Sequence, residues 1–342
     1  MTHQWMQSLS LPGLFILIAV CIGALGKGAD LLVDEAVRLA LRWKVPTIIV
    51  GATIVSLGTT LPEAAVSVVA AVKGSPSIAL GNAVGSIICD TGLVLGLATI
   101  LSPPPLSSKV VHRQGWLQLA AGFLLVFSCL PSLSFRQAVS IGGTLPQHMG
   151  VIFLLLLAVY IWVSLKWIRQ DRSPGNDHTP EAPDIELSGW KNVAFLLLGM
   201  ALIIVGSHLL IPAVQISAMR IGVPESIVGA TLVAFGTSLP ELVTALTAVR
   251  KGHGDLAVGN VIGADILNVL FVAGAAASVT SGGLAAPAHF FQALFPAMLV
   301  LLLVFRAGIY FSNGILGRPF GFLLLSVYMA STMISYTYRY GL

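Results

Sequence analysis

Charge is what this sequence has least of. Lys, Arg, Asp and Glu make up 9% of its 342 residues, against 56% for hydrophobic ones, and mean hydropathy is +0.92. A soluble domain carries about 25% charged residues, so this composition excludes a water-solvated fold and demands a lipid-facing surface. Cysteine is also scarce. Cys21, Cys89 and Cys129 each sit inside an apolar run; they have neither metal-ligand nor disulfide spacing and read as small buried hydrophobes. Sustained period-two alternation is missing, which argues against a membrane β-barrel. The opening MTHQWMQSLS lacks a basic n-region and a cleavage site, so no removable signal peptide is expected. No HExxH is present, no cofactor is expected, and no nucleic-acid patch stands out.

What is there is a series of apolar stretches of the about 17–25 residues that a bilayer crossing needs. They fall near 11–33, 47–72, 78–101, 115–133, 147–165, 191–211, 226–249, 256–279, 288–305 and 319–338. The expected fold is therefore an all-α integral membrane protein with about ten transmembrane helices. RQDRSPGNDHTPEAPDIELSGW, residues 169–190, is the longest polar stretch. It reads as a solvated linker between two five-helix halves, 1–168 and 191–342. With the N-terminus outside, thirteen Lys and Arg fall on inside segments; only Lys73, Arg136, Arg220 and Arg339 fall outside. That positive-inside bias predicts a multi-pass protein of the plasma or inner membrane, both termini outside and the linker in the cytoplasm. All six tryptophans lie near predicted segment ends, as an aromatic belt requires.

The two halves repeat one another. A shift of 178 residues aligns 45–96 with 223–274 without a gap, and 23 of the 52 positions are identical. Five helices per half is odd, so the second half must enter from the opposite side. Inverted-topology repeats are a transporter architecture, with the site near the midplane where the repeats meet.

The most similar stretches are GATIVSLGTTLPE at 51–63 and GATLVAFGTSLPE at 229–241. Pro62 and Pro240 cannot donate backbone hydrogen bonds and clash with the carbonyls four residues back, at Gly58 and Gly236. Each is expected to break its helix and free carbonyls, which membrane depth allows only where they line a cavity or bind something. Ser56, Thr59, Thr60 and Glu63 share one helical face, and the second copy offers Thr237, Ser238 and Glu241, with Ala234 in place of the first hydroxyl. In the following helices, Asn82, Ser86 and Asp90 share a face, as do Asn260, Ala264 and Asn268. Carbonyls, hydroxyls and carboxylates are hard oxygen ligands that suit Ca²⁺ or Na⁺. Ionisable groups inside spans are costly, so Glu63, Asp90 and Glu241 read as cation ligands. Asp265 lies about 100° off the Asn260/Asn268 face, leaving binding and helix-contact roles open. The glycine pairs 81/85, 92/96 and 259/263 read as close helix packing.

These paired GTTLPE/GTSLPE and GNxxG segments resemble the two α-repeats of the cation/Ca²⁺ antiporter superfamily, in its Na⁺/Ca²⁺ exchanger branch. The resemblance implies a non-enzymatic antiporter exchanging Ca²⁺ for Na⁺, with the ions as cargo. It implies a site lined by Ser56, Thr59, Thr60, Glu63, Ser86 and Asp90 from one repeat, completed by Thr237, Ser238, Glu241 and Asn268. Access would alternate as the first and sixth helices slide over the core. The family usually reads Gly-Ser-Asn after GNxx, whereas here Gly85-Ser86-Ile87 and Gly263-Ala264-Asp265 stand there. A proton-coupled cation/Ca²⁺ antiporter, a passive cation channel and an intramembrane aspartyl protease are the alternatives. That proton-coupled branch usually carries an acid in the first Gly-Asn segment, absent from Gly81-Asn82-Ala83-Val84-Gly85. Two further readings concern the helix margins. His208, the repeat counterpart of Asp30, reads as a satisfied packing residue, and Asp30, Asp34 and Glu35 read as interfacial ion pairs with Lys27 and Arg38.

Overall fold

The computed structural model of the chain describes residues 2–106, 109–131, 134–170, 189–221, 236–312 and 314–340. Its elements are α1 (Thr2–Ser8), α2 (Leu11–Trp43), α3 (Thr47–Val72), α4 (Pro76–Leu101), α5 (Lys109–Ser128), α6 (Phe135–Ile141), β1 (Gly143–Leu145) and α7 (Gln147–Gln170). After the linker come α8 (Gly189–Arg220), α9 (Leu239–Arg250), α10 (Gly254–Ser278), β2 (Leu284–Ala286), α11 (Phe290–Phe311) and α12 (Arg318–Tyr340). Most of the 169–190 linker, the start of the 226–249 span and Ala234 lie outside the described residues.

Among the described residues, seven helices are long and apolar enough to cross a membrane: α2, α3, α4, α7, α8, α10 and α11. Two further expected spans, 115–133 and 319–338, overlap α5 and α12, which are not among those seven. Their start signals are local. Ser10 caps α2 by accepting from the Gly13 amide, and Pro76 opens α4 at the position where proline loses no helical bond. Lys44, in the left-handed region at φ 53°, ends α2. At 33 residues, α2 is about 50 Å long, well beyond the roughly 30 Å of a hydrocarbon core.

Burial separates the helices into a centre and a periphery. The most apolar window of α10 is 94% buried and that of α4 72%, whereas α2 and α8 reach 33% each. Lipid gives no hydrophobic drive for helix association, so small residues that let backbones touch must supply the packing. α10 meets α3 this way. A Cβ on Gly259 would stand 2.2 Å from the Ile48 carbonyl oxygen, and one on Gly263 2.5 Å from that of Ala52. Outside this core, α2 and α8 lie against one another at Gly28 and Gly199, each within 3 Å of the other's carbonyl if it carried a Cβ. Gly92 and Gly96 pack against Tyr328, Leu301, Gly321 and Leu325 of α11 and α12. The positions that the repeat pairs with Gly81 and Gly85 as neighbours, 226 and 230, lie outside the described residues.

Two expectations are corrected and one gains a detail. Helix does not stop at Pro62: Ser56–Val72 is continuous, and the irregularity is a π-helical turn immediately before it, Gly51–Val55. Gly58 and Gly236 serve instead to receive α8, since a Cβ at either would strike Met200 or Ile211. The all-α reading holds, with two three-residue strands added to it. β1 and β2 pair antiparallel, Gly143 opposite Ala286 and Leu145 opposite Leu284, and Pro105 bridges Ile315. These ladders join loops of the two halves, where non-helical backbone must find partners of its own. Last, among the described residues Asp30 and Asp34 pair with Lys251 and not with Lys27 or Arg38, while Glu35 meets Arg38 at 2.6 Å. The nearer cation comes from the other half of the chain, which helix spacing alone does not reveal.

Candidate functional site

Four helices carry the acids into the core. Glu63 lies in mid-α3, Asp90 in mid-α4, Glu241 in the first turn of α9 and Asp265 in α10, and all are at most 2% exposed. Each lies within the field of another: Glu63 of Asp90, Asp90 of Glu241, Glu241 of Glu63, and Asp265 acts on both Asp90 and Glu241. Among the described residues no three Asp, Glu, His or Cys groups gather around a single metal position. A cation held here must therefore draw on hydroxyls and carbonyls as well as acids.

Those hydroxyls are present. The Ser238 side chain stands beside the Asp90 carboxylate and that of Thr59 beside Glu241, without closing an ordinary hydrogen bond. Ser56 sits at the crossing of α3 with α10, against Gly263, and its hydroxyl donates to the Thr53 carbonyl. The polar side-chain atoms of Thr60, Ser86 and Asn268 are buried and make no hydrogen bond among the described residues. Thr237 is partly exposed. It lines a cavity of about 320 Å³ with Pro62, Ser207, His208, Gln215 and Pro240. His208 thus faces a cavity and is exposed, contrary to its reading as a packing residue. All ten residues singled out from the sequence are described, and all but Thr237 are buried.

The oxygen donors owe their placement to local backbone. Asp90 opens the π-helical turn Asp90–Val94 and Asn268 opens Asn268–Ala273. Such a turn shifts the helical register by one residue and is frequent at functional positions. In the first repeat Asn82 donates to Ser67 at 3.0 Å and to the Glu63 carbonyl at 3.4 Å, which ties α4 to α3 beside the acid. Its counterpart Asn260 has Ala245 where Ser67 stands, and both of its amide atoms are without a partner among the described residues.

Asp265 belongs to a different set of contacts. One carboxylate oxygen accepts from Thr91 and from Gln118, both at 2.5 Å. Tyr160 of α7 donates within reach of both Gln114 (3.2 Å) and the Ala52 carbonyl (3.1 Å). The sequence reading missed this network. Its visible signal was Gln114 and Gln118, two buried amides one turn apart on one face of α5.

None of the four acids forms an ion pair with Lys, Arg or His among the described residues. Buried carboxylates of one sign, uncompensated in a low-dielectric interior, are strongly unfavourable as anions. The arrangement can lower that cost by taking up mobile cations or protons, and hydroxyls with unused lone pairs add neutral ligands. Chemically it is a cluster of oxygen donors whose acids have no basic side chain to answer them among the described residues.

The sequence matches the profile of the family described as sodium/calcium exchanger protein over residues 13–166 and 191–337. It is 37% identical over 258 residues to the inner membrane protein YrbG of Escherichia coli, covering 74% of this chain and 76% of that protein. It is 28% identical over 346 residues to the sodium/calcium exchanger MaX1 of Methanosarcina acetivorans, covering 94% and 97%. The fold superimposes on a solved structure of the sodium-calcium exchanger NCX_Mj soaked with 10 mM Na⁺ and no Ca²⁺, with TM-score 0.76 and 27% identity over 94% of this chain and 98% of that one.

Proposed function

The chain belongs to the sodium/calcium exchanger family, in the cation/Ca²⁺ antiporter superfamily, and from that premise we propose that it exchanges Ca²⁺ for Na⁺ by alternating access. The observation that carries this reading is the trio Glu63, Asp90 and Glu241: buried, near one another, flanked by hydroxyls and uncompensated by any basic side chain among the described residues. Ser56, Thr59, Thr60, Glu63, Ser86 and Asp90 would form one half-site, and Thr237, Ser238, Glu241 and Asn268 the other. Ca²⁺ takes six to eight oxygens and Na⁺ fewer, so competing ions can share the carboxylates in turn. No resident cofactor is part of the scheme.

The architecture proposed is ten spans in two inverted five-helix repeats, 1–168 and 191–342, joined by a cytoplasmic 169–190 linker, with both termini outside. The long, lipid-exposed α2 and α8, in contact through Gly28 and Gly199, would be the elements that slide. The cavity beside Thr237 would be one ion pathway. A cysteine placed at Ser173, with native cysteines removed, should resist impermeant thiol reagents in intact cells; ready labelling would reverse the orientation.

The decisive experiment is ⁴⁵Ca²⁺ uptake into proteoliposomes under imposed Na⁺, K⁺ or H⁺ gradients. A Na⁺ gradient should drive uptake. The same uncompensated acids would suit protons too, so a proton-coupled Ca²⁺/cation antiporter is the second reading, and uptake that follows only the H⁺ gradient would establish it.

A further inference from the structure

Five helices carry cations with no acid of their own to answer them. No Asp or Glu occurs between Thr91 and Gln170, or between Ile266 and Leu342, and these stretches contain α5, α6, α7, α11 and α12. Cations there lie on tryptophan: Arg306 of α11 is 4.4 Å from the ring of Trp116 of α5, and Arg113 is 4.3 Å from that of Trp167. Lys166 stands 5.4 Å from Trp162.

Arg306 has a built surrounding. Gly115 forms its floor, for a Cβ there would stand 3.6 Å from Nη1 and 2.9 Å from Ile309 Cδ1. Nη1 is buried and makes no hydrogen bond among the described residues. Trp116 is 58% exposed, so this pair faces the lipid side of the α5–α11 groove. Arg306 stands five residues from the end of α11, roughly 7–8 Å along the axis, the depth from which an arginine side chain reaches the headgroup layer.

Stacking on an indole uses the face of the guanidinium and leaves its N–H edge to find an acceptor. With Nη1 turned onto Gly115, Nε and Nη2 form the planar fork that matches two oxygens of one phosphate, and the phosphates of the bilayer lie at that depth. Basic pockets between transmembrane helices select anionic headgroups by the same field. We propose that Arg306, Trp116 and Gly115 form a binding site for the phosphate of an anionic phospholipid, seated between α5 and α11.

Native mass spectrometry of the purified full chain tests this with three probes: phosphatidylglycerol, phosphatidylcholine and sodium phosphate. Wild type should keep a phosphatidylglycerol adduct in preference to the other two. Arg306→Gln should cut its retention about five- to tenfold, the worth of about one interfacial arginine, while Arg136→Gln on α6, which packs at the opposite end of α11, should leave it unchanged. Should Arg306→Gln fail to fold, Trp116→Leu, which removes the π face and keeps the charge, should weaken retention in the same direction. Undiminished phosphatidylglycerol binding in the folded variant overturns the proposal. So does equal binding of phosphatidylcholine or of free phosphate.

Discussion

Asp90 and Asn268 stand 178 residues apart, at equivalent places of the repeat, and each is the first residue of a π-helical turn in a buried helix. The backbone irregularity is thus duplicated while the side chain is not: one copy carries a charge, the other an amide of nearly the same shape. Both side chains are buried, with polar atoms that make no hydrogen bond among the described residues. The relationship isolates charge from shape, which makes it a direct probe of how many negative charges the site needs.

Asp90→Asn should weaken Ca²⁺ transport, because an amide replaces a charge where water does not screen it and Coulomb interactions are large. Asn268→Asp adds a fourth charge to Glu63, Asp90 and Glu241, and the crowding of like charges should make flux more sensitive to acid. The double variant restores three and should carry ⁴⁵Ca²⁺ faster than Asp90→Asn alone. Strictly additive losses would mean that the two residues do not serve one site.

Asp265 offers a test of the neighbouring network. Its carboxylate oxygen is the shared acceptor for Thr91 and Gln118, so Asp265→Leu strands the buried Thr91 hydroxyl and leaves Gln118 only its longer 3.4 Å bond to Thr91, at about 1–3 kcal/mol for a donor left unsatisfied. Asp265→Asn keeps an oxygen of the same reach and should lose much less. Thermal unfolding in detergent should rank wild type above Asp265→Asn, and both well above Asp265→Leu. Equal midpoints for the two variants would remove the hydrogen bonds from the account.

The acids and their helices were legible because span length, the internal repeat and a buried charge leave strong local marks. One shift of the chain against itself pairs Glu63 with Glu241 and Asp90 with Asn268. What was not legible depends on geometry across helices. Pro62 announces a broken helix, yet the distortion settles in Gly51–Val55, just before it, where Gly51 presses on the Leu256 carbonyl of α10. Lys251 answers Asp30 and Asp34 from more than two hundred residues away, whereas sequence spacing favoured nearer cations. Asp265 was ambiguous from its angular position because its partners come from α4 and α5, and no helical wheel contains them.

Lys251 joins the end of α9, the helix of Glu241, to the peripheral α2 through Asp34 at 2.8 Å and Asp30 at 3.2 Å. Burial of the ammonium lowers its pKa, but the hydrogen bonds to Asp34 and Asp30 more than offset this and leave it above the ordinary lysine value. A raised pKa means that the pairing is fully present at neutral pH and is lost only as pH rises through the lysine range. Exposed pairs contribute little, about 0–1 kcal/mol, so Lys251→Met should barely move the unfolding midpoint. If α2 slides against the core during transport, the same variant should change turnover, and high salt should change wild-type turnover in the same direction. Turnover indifferent to both would show that the contact does not break in the cycle.

Gly263 is where packing and site coincide. A methyl group there would enter within 2.5 Å of both the Ala52 carbonyl and the Ser56 hydroxyl, and neither is the free end of a flexible chain. Gly263→Ala must therefore push α10 away from α3, and overpacking of this kind costs about 1–3 kcal/mol. Gly23 of α2 makes the contrast, since the space around its missing Cβ is open among the described residues. Gly23→Ala should be neutral or stabilising by up to about 1 kcal/mol through helix propensity alone. The separation of α10 from α3 carries Ser56 and, through its helix, Glu63 with it, so Gly263→Ala should also raise the Ca²⁺ concentration needed for half-maximal flux. Both readouts, detergent unfolding and ⁴⁵Ca²⁺ uptake, are needed. Lower stability with unchanged Ca²⁺ dependence would leave the α3–α10 crossing as packing only and detach Ser56 from the site.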